Sequence, residues 1–165
     1  MKIYLASQYE NKVLLQFVRK FIHENNYDHE IISRWIDNPI LTLKDASRMD
    51  FQDLQYADLV IAFYPGKVGT SAELGFALAK NIPIIFVSPF KIELDNAELN
   101  NIGILPVGKL VNYSDFLENT KLASNKEITE YLDKTCGIIV NDISSCLRML
   151  DTYEHYLKHS DEGEL

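Results

Sequence analysis

Residues 57–87, ADLVIAFYPGKVGTSAELGFALAKNIPIIFV, constrain the fold more than any other stretch of this chain. An apolar run at 59–63 enters a Pro-Gly-x-x-Gly-Thr turn. A lone carboxylate, Glu73, then stands at the start of a helix, and a second apolar run fills 82–87. Strand, glycine-bearing loop, helix and strand form the repeating unit of parallel α/β sheets. Such sheets bind ligands at the carboxyl ends of their strands, which is where this loop falls. Glu73 is therefore placed to face a small molecule.

The same pattern extends outward. Residues 3–6 read as a first buried strand and 10–24 as an amphipathic helix, with Val13, Leu14, Phe17, Val18 and Phe21 on its apolar face. A turn at 25–28 leads to a second strand over 29–35, and a loop over 37–43 contains Pro39. A helix over 44–56 precedes the third strand. The polar stretch 88–106 is expected to be a lid, a binding loop or a disordered piece, with Asn96, Asn100 and Asn101 on it. A fifth strand is expected over 107–111 and helices over 126–134 and 141–158. The expected architecture is a single-domain flavodoxin-like or Rossmann-like parallel sheet of about five strands, with helices on both faces. It spans 1–160, and 161–165 form an acidic tail.

Charge and composition narrow the partners. With 24 acidic residues against 16 basic ones, the net charge is −8, and no basic stripe is present to bind a nucleic-acid polymer. No apolar run is long enough to span a bilayer, and no signal peptide is recognised, so a cytoplasmic protein with no membrane partner is expected. Cys136 and Cys146 read as buried free thiols. His155 and His159 share a helix face without a third ligand, so neither a metal site nor a cofactor is expected.

Chemistry concentrates near the 66–73 loop. Gly66 and Gly69 let backbone approach a ligand, while Thr70 and Ser71 are able to cap the helix. The helix N-terminus and Lys67 suit an anion such as phosphate. Glu73 sits among Leu74, Phe76, Ala77, Leu78 and Ala79, so its carboxylate needs a hydrogen-bonding partner. Tyr4, on a first strand beside the third, is the expected partner, and Asp50 reaches the same rim from the preceding helix. Arg34 and Trp35, at the exit of the second strand, are candidates for contact with a base.

These residues resemble a known family. Lys2-Ile3-Tyr4-Leu5-Ala6-Ser7, Asp50 eight residues before Asp58, and Gly-Thr-Ser-Ala-Glu73-Leu-Gly-Phe-Ala-Leu-Ala are similar to the nucleoside 2-deoxyribosyltransferases. Ser33-Arg34-Trp35 resembles the short members. The likeness covers about 2–87, a little over half the chain. It implies cleavage of the N-glycosidic bond of deoxynucleosides or their 5′-monophosphates. By this resemblance Glu73 is the nucleophile, Tyr4 orients it, and Asp50 contacts the substrate and helps protonate the leaving base. It also implies substrate contacts from Ser7, Arg34, Trp35, Lys67, Gly69, Thr70 and Ser71. A homo-oligomer, whose neighbouring subunit completes the site, is implied as well. Lys67 departs from the family, which carries an Asp or a small hydroxyl residue there, and a lysine favours a 5′-phosphate.

Two other readings stand beside it. Pro65-Gly66-x-x-Gly69-Thr70-x-x-Glu73 also resembles the loop of phosphoribohydrolases that release cytokinin bases, although those carry Gly where Lys67 stands. A nucleotide-binding module without turnover would use the same loop. Whether a hydrolase or a transferase is expected is left open by these residues.

Overall fold

The computed structural model describes residues 1–25, 28–38, 42–89 and 110–160. Six strands form one parallel sheet: β1 (Lys2–Ala6), β2 (Glu30–Ile31), β3 (Leu59–Phe63), β4 (Ile84–Val87), β5 (Leu110–Asn112) and β6 (Gly137–Val140), in the order β2-β1-β3-β4-β6-β5. Among the described residues six helices surround it: α1 (Lys12–Asn25), α2 (Leu43–Leu54), α3 (Val68–Ala79), α4 (Tyr113–Thr120), α5 (Asn125–Asp133) and α6 (Ile143–Ser160). The flavodoxin-like arrangement expected from the sequence is present, with one strand more. The central strands β3, β4 and β6 are buried at every residue, as parallel strands covered on both faces must be.

The register fixes where a ligand would sit. Ile3 pairs with Leu59 and Ala6 with Ala62, while Phe63 pairs with Val87 on the other side of β3. The chain leaves β1 for β2 in one direction, and β3 lies beside β1 in the other. The carboxyl ends of β1 and β3 therefore border the crevice where strand order reverses, the usual ligand position in such sheets. Ser7 closes the base of that crevice: its hydroxyl donates to the Phe63 carbonyl at 3.2 Å and accepts from Asn11 Nδ2 at 2.8 Å.

Strand β6 was not expected. It is four residues long, Gly-Ile-Ile-Val, and lies between two helices with strong periodicity of their own. It inserts between β4 and β5 with Gly137 opposite Ile84. A Cβ at Gly137 would lie 1.9 Å from the Ile84 carbonyl oxygen, so the close approach there requires glycine.

Strand β2 is shorter than the 29–35 expected. Beyond Ile31 the chain bends, and Arg34–Ile36 form a single helical turn. Leu5 on β1 would then lack edge partners. Side chains supply them instead: its N–H donates to Ser33 Oγ at 2.5 Å, and its carbonyl accepts from the Trp35 indole at 3.2 Å. Both side chains are buried, as an orphaned ladder position demands.

Helix α1 also differs. Val18 faces the core as expected, but its companions there are Leu15 and Ile22, whereas Val13 is 77% and Phe17 61% exposed. Two apolar stripes run along this helix, each at helical spacing, and the sheet accepts only one. Phe17 and Phe21 stack on each other outside, with ring centroids 6.1 Å apart. Of the cysteines, Cys146 is buried and Cys136 half-buried, both free, and His155 and His159 are exposed on α6. The expected loop asparagines Asn96, Asn100 and Asn101, the Pro39 loop tip, residues 107–109 of the fifth strand and the 161–165 tail lie outside the described residues. Among the described residues no helix is long and apolar enough to cross a membrane.

Candidate active site

Helix α3 begins at Val68, earlier than the pattern suggested, so Glu73 lies in its second turn. Thr70 explains the early start, because its buried hydroxyl accepts from the Lys67 backbone N–H at 3.5 Å. Gly66 fits beneath it: a Cβ there would come within 3.1 Å of the Thr70 side chain. Gly69 is different, since a Cβ at that position meets nothing within 4 Å. The dipole preference for acids acts mainly on a helix's first turn. It does not account for Glu73.

Glu73 is 8% exposed, and its Oε1 accepts from the Tyr4 hydroxyl at 2.8 Å. The parallel pairing of β1 with β3 makes this possible, because it brings Tyr4 under the helix that follows β3. Glu73 Oε2 and Asp50 Oδ1 are buried without a hydrogen-bond partner among the described residues. Buried carboxylate oxygens are seldom left unpaired. Two that act on each other make this pair the candidate site.

The electrostatics follow from burial. Desolvation pushes Glu73 from its ordinary 4.5 up to about 8; the Tyr4 hydrogen bond opposes the rise and the Asp50 charge adds to it. Asp50 is pushed from 3.8 to about 6, again mainly by desolvation. The Tyr4 hydroxyl and the Arg34 charge hold it down, and the Asp53 charge raises it. Tyr4 itself is held well above its ordinary value, first by burial and then by the two carboxyl groups, so it remains a donor.

The other expected site residues divide into two groups. Arg34 is tied to the α2 carboxylate Asp53, which the sequence reading did not single out; its Nε donates to Asp53 Oδ1 at 2.7 Å. Arg34 also bears on Asp50 through its charge. Lys67 pairs with Glu10 from the segment after β1, joining two connections that border the crevice. Gly69 is exposed and Ser71 half-buried in the first turn of α3 beside it. Trp35 and Ser7 also hold the sheet edge and the β1–β3 ends, and Thr70 helps start α3. Glu10 and Asp53 carry no motif. Only the spacing of Asp53 three residues beyond Asp50 hints at a shared helix face.

No family model matches this chain, and no curated protein matches it. Solved structures do. A conserved protein from Enterococcus faecalis V583 is 15% identical over 92% of this chain and 97% of that one, with a TM-score of 0.57. The solution structure of BlsM is 14% identical over 97% of this chain and 93% of that one, with a TM-score of 0.51. The CMP N-glycosidase BcmB from Clostridium botulinum is 20% identical over 93% of this chain and 99% of that one, at 0.48. At such identities the first two likenesses establish a common fold. The chain is thus an α/β protein of that fold with a buried, tyrosine-held glutamate at the ligand end of its sheet.

Proposed function

We propose that this protein cleaves the N-glycosidic bond of a (deoxy)nucleoside or its 5′-monophosphate through Glu73, releasing the base or exchanging it. The observation that carries the proposal is the buried Glu73 carboxyl, held by Tyr4 through one oxygen with the other unpartnered beside Asp50. A carboxylate so held is aimed as a nucleophile at an anomeric carbon.

The first step forms the ester bond between Glu73 and C1′ and breaks C1′–N, with the bonding pair leaving on the base. Asp50 delivers its proton to that base. Water then attacks C1′, Asp50 takes the water's proton, and Glu73 leaves as carboxylate. A second base in place of water gives exchange. Two displacements retain the anomeric configuration. Burial raises both carboxyls, Glu73 further than Asp50, so near neutral pH the pair in the free protein favours a single proton, on Glu73. Positive charge developing at C1′ favours the anion on Glu73 and the proton on Asp50. Cleavage thus draws on the same pair in its one-proton state.

Lys67 supports a phosphorylated substrate, since it stands at the α3 N-terminus where anions are favoured. Glu10 occupies it now, and a 5′-phosphate would exchange with Glu10. Arg34, whose charge bears on Asp50, belongs to the same reading as a contact for the base. Action in the cytoplasm and self-association belong to the same reading; exposed Val13 and Phe17 support self-association, and light scattering tests it. The test of the activity is base release from deoxy- and ribonucleosides and their monophosphates, followed by chromatography. Release that Glu73→Ala abolishes is expected. No release from any of them by folded protein would defeat the proposal.

A further inference from the structure

Asp53 is 7% exposed and follows Asp50 by three residues on α2. Its Oδ2 accepts from the Arg34 backbone N–H at 3.0 Å and its Oδ1 from Arg34 Nε at 2.7 Å. One buried carboxylate therefore fixes both the backbone and the guanidinium of Arg34. Charge-assisted bonds of this kind are the stronger ones. Residues three apart on a helix are neighbours, with Cβ atoms about 5–6 Å apart. The Asp53–Arg34 pair thus lies beside Asp50. Among the described residues, the charged and titratable groups that act on Asp50 come from four elements: Tyr4 on β1, Glu73 on α3, Asp53 on α2 itself and Arg34 on the turn after β2. Of these, Asp53 favours a protonated Asp50 and Arg34 an ionised one. Held together, they offset each other.

We infer that Asp53 is a positioning residue: by fixing Arg34 as a compensated partner beside Asp50, it sets which of the two site carboxyls holds their shared proton. The inference rests on the glycosidic reading above, in which the productive arrangement has the proton on Asp50 and the anion on Glu73. Asp53 touches no reacting atom in that scheme. It acts through Arg34 and Asp50.

Asp53→Asn keeps the shape and removes the charge. Loss of the Asp53 charge and exposure of Asp50 to an uncompensated Arg34 both favour ionised Asp50. The one-proton pair then keeps its proton more firmly on Glu73. The acid limb of kcat/KM is expected to move about one pH unit lower and the plateau to fall about tenfold, with the alkaline limb unmoved. Arg34→Gln is expected to move the acid limb the other way. A merely structural role for Asp53 would lower activity and Tm without moving either limb. Carboxyl carbon-13 NMR of Asp50, in wild type and both variants without substrate, reads the same shifts independently of activity. An Asp50 titration unchanged in Asp53→Asn overturns the inference. Absence of base release by the wild type instead overturns the glycosidic reading, so the two failures are distinguishable.

Discussion

Replacing Glu73 with Gln should make the protein more stable at neutral pH, and by an amount that depends on pH. Burial raises Glu73 from 4.5 to about 8, so the folded state holds a proton that the unfolded chain has already released. For a group shifted in this direction, stability is greatest below the unfolded value and falls as pH climbs toward the folded one. Each pH unit within that window costs about 1.4 kcal/mol. Between pH 4.5 and pH 7 the loss is then about 3 kcal/mol. Glutamine does not titrate, yet its amide oxygen still accepts from the Tyr4 hydroxyl. The two proteins should melt together near pH 4.5 and separate steadily above it. For a chain of this size, about 3 kcal/mol corresponds to about 6–12 °C in Tm. Thermal melts by circular dichroism, at constant ionic strength from pH 4.5 to 8, read this directly. Parallel curves for the two proteins, or a less stable Gln variant at pH 7, would refute the reasoning.

Tyr4→Phe removes the hydrogen bond that favours the Glu73 anion. A bond to a charged group contributes about 1.5–3 kcal/mol, so base release should fall ten- to a hundredfold at neutral pH while far-UV dichroism is unchanged. Lys67→Ala should erase a preference for the 5′-monophosphate over the nucleoside, read as the ratio of kcat/KM for the two; an unchanged ratio would remove Lys67 from the phosphate site. Trp35→Phe loses the indole bond to the Leu5 carbonyl, for about 0.5–1.5 kcal/mol of stability, with KM unaltered. A raised KM at unchanged Tm would instead make Trp35 a base contact.

The contact between Tyr4 and Glu73 was legible in the sequence, and for a physical reason. A glutamate in a helix as apolar as α3 has no solvent to face, so a partner had to exist. Parallel sheets that place the first and third strands side by side left Tyr4 as the natural one. Other features depend on tertiary competition that local pattern does not record. Both stripes of α1 satisfy the helical period, and only packing chose Leu15, Val18 and Ile22. Strand β6 is too short to announce itself between two helices, although Gly137 is indispensable to its pairing. A full strand was expected over 29–35, but Ser33 and Trp35 finish the edge with side chains rather than backbone. Asp53 acquires meaning only when the turn after β2 brings Arg34 to it. Its neighbour Asp50 was visible because a motif marked it.

The most direct test of the central claim is peptide mass mapping of the protein after acid quench during turnover of a deoxynucleoside 5′-monophosphate. A Glu73 nucleophile predicts a 5-phospho-2-deoxyribosyl ester on the peptide that carries Glu73, absent from Glu73→Gln, which releases no base. Base release by Glu73→Gln at the wild-type rate, with the wild-type peptide unmodified, would contradict it.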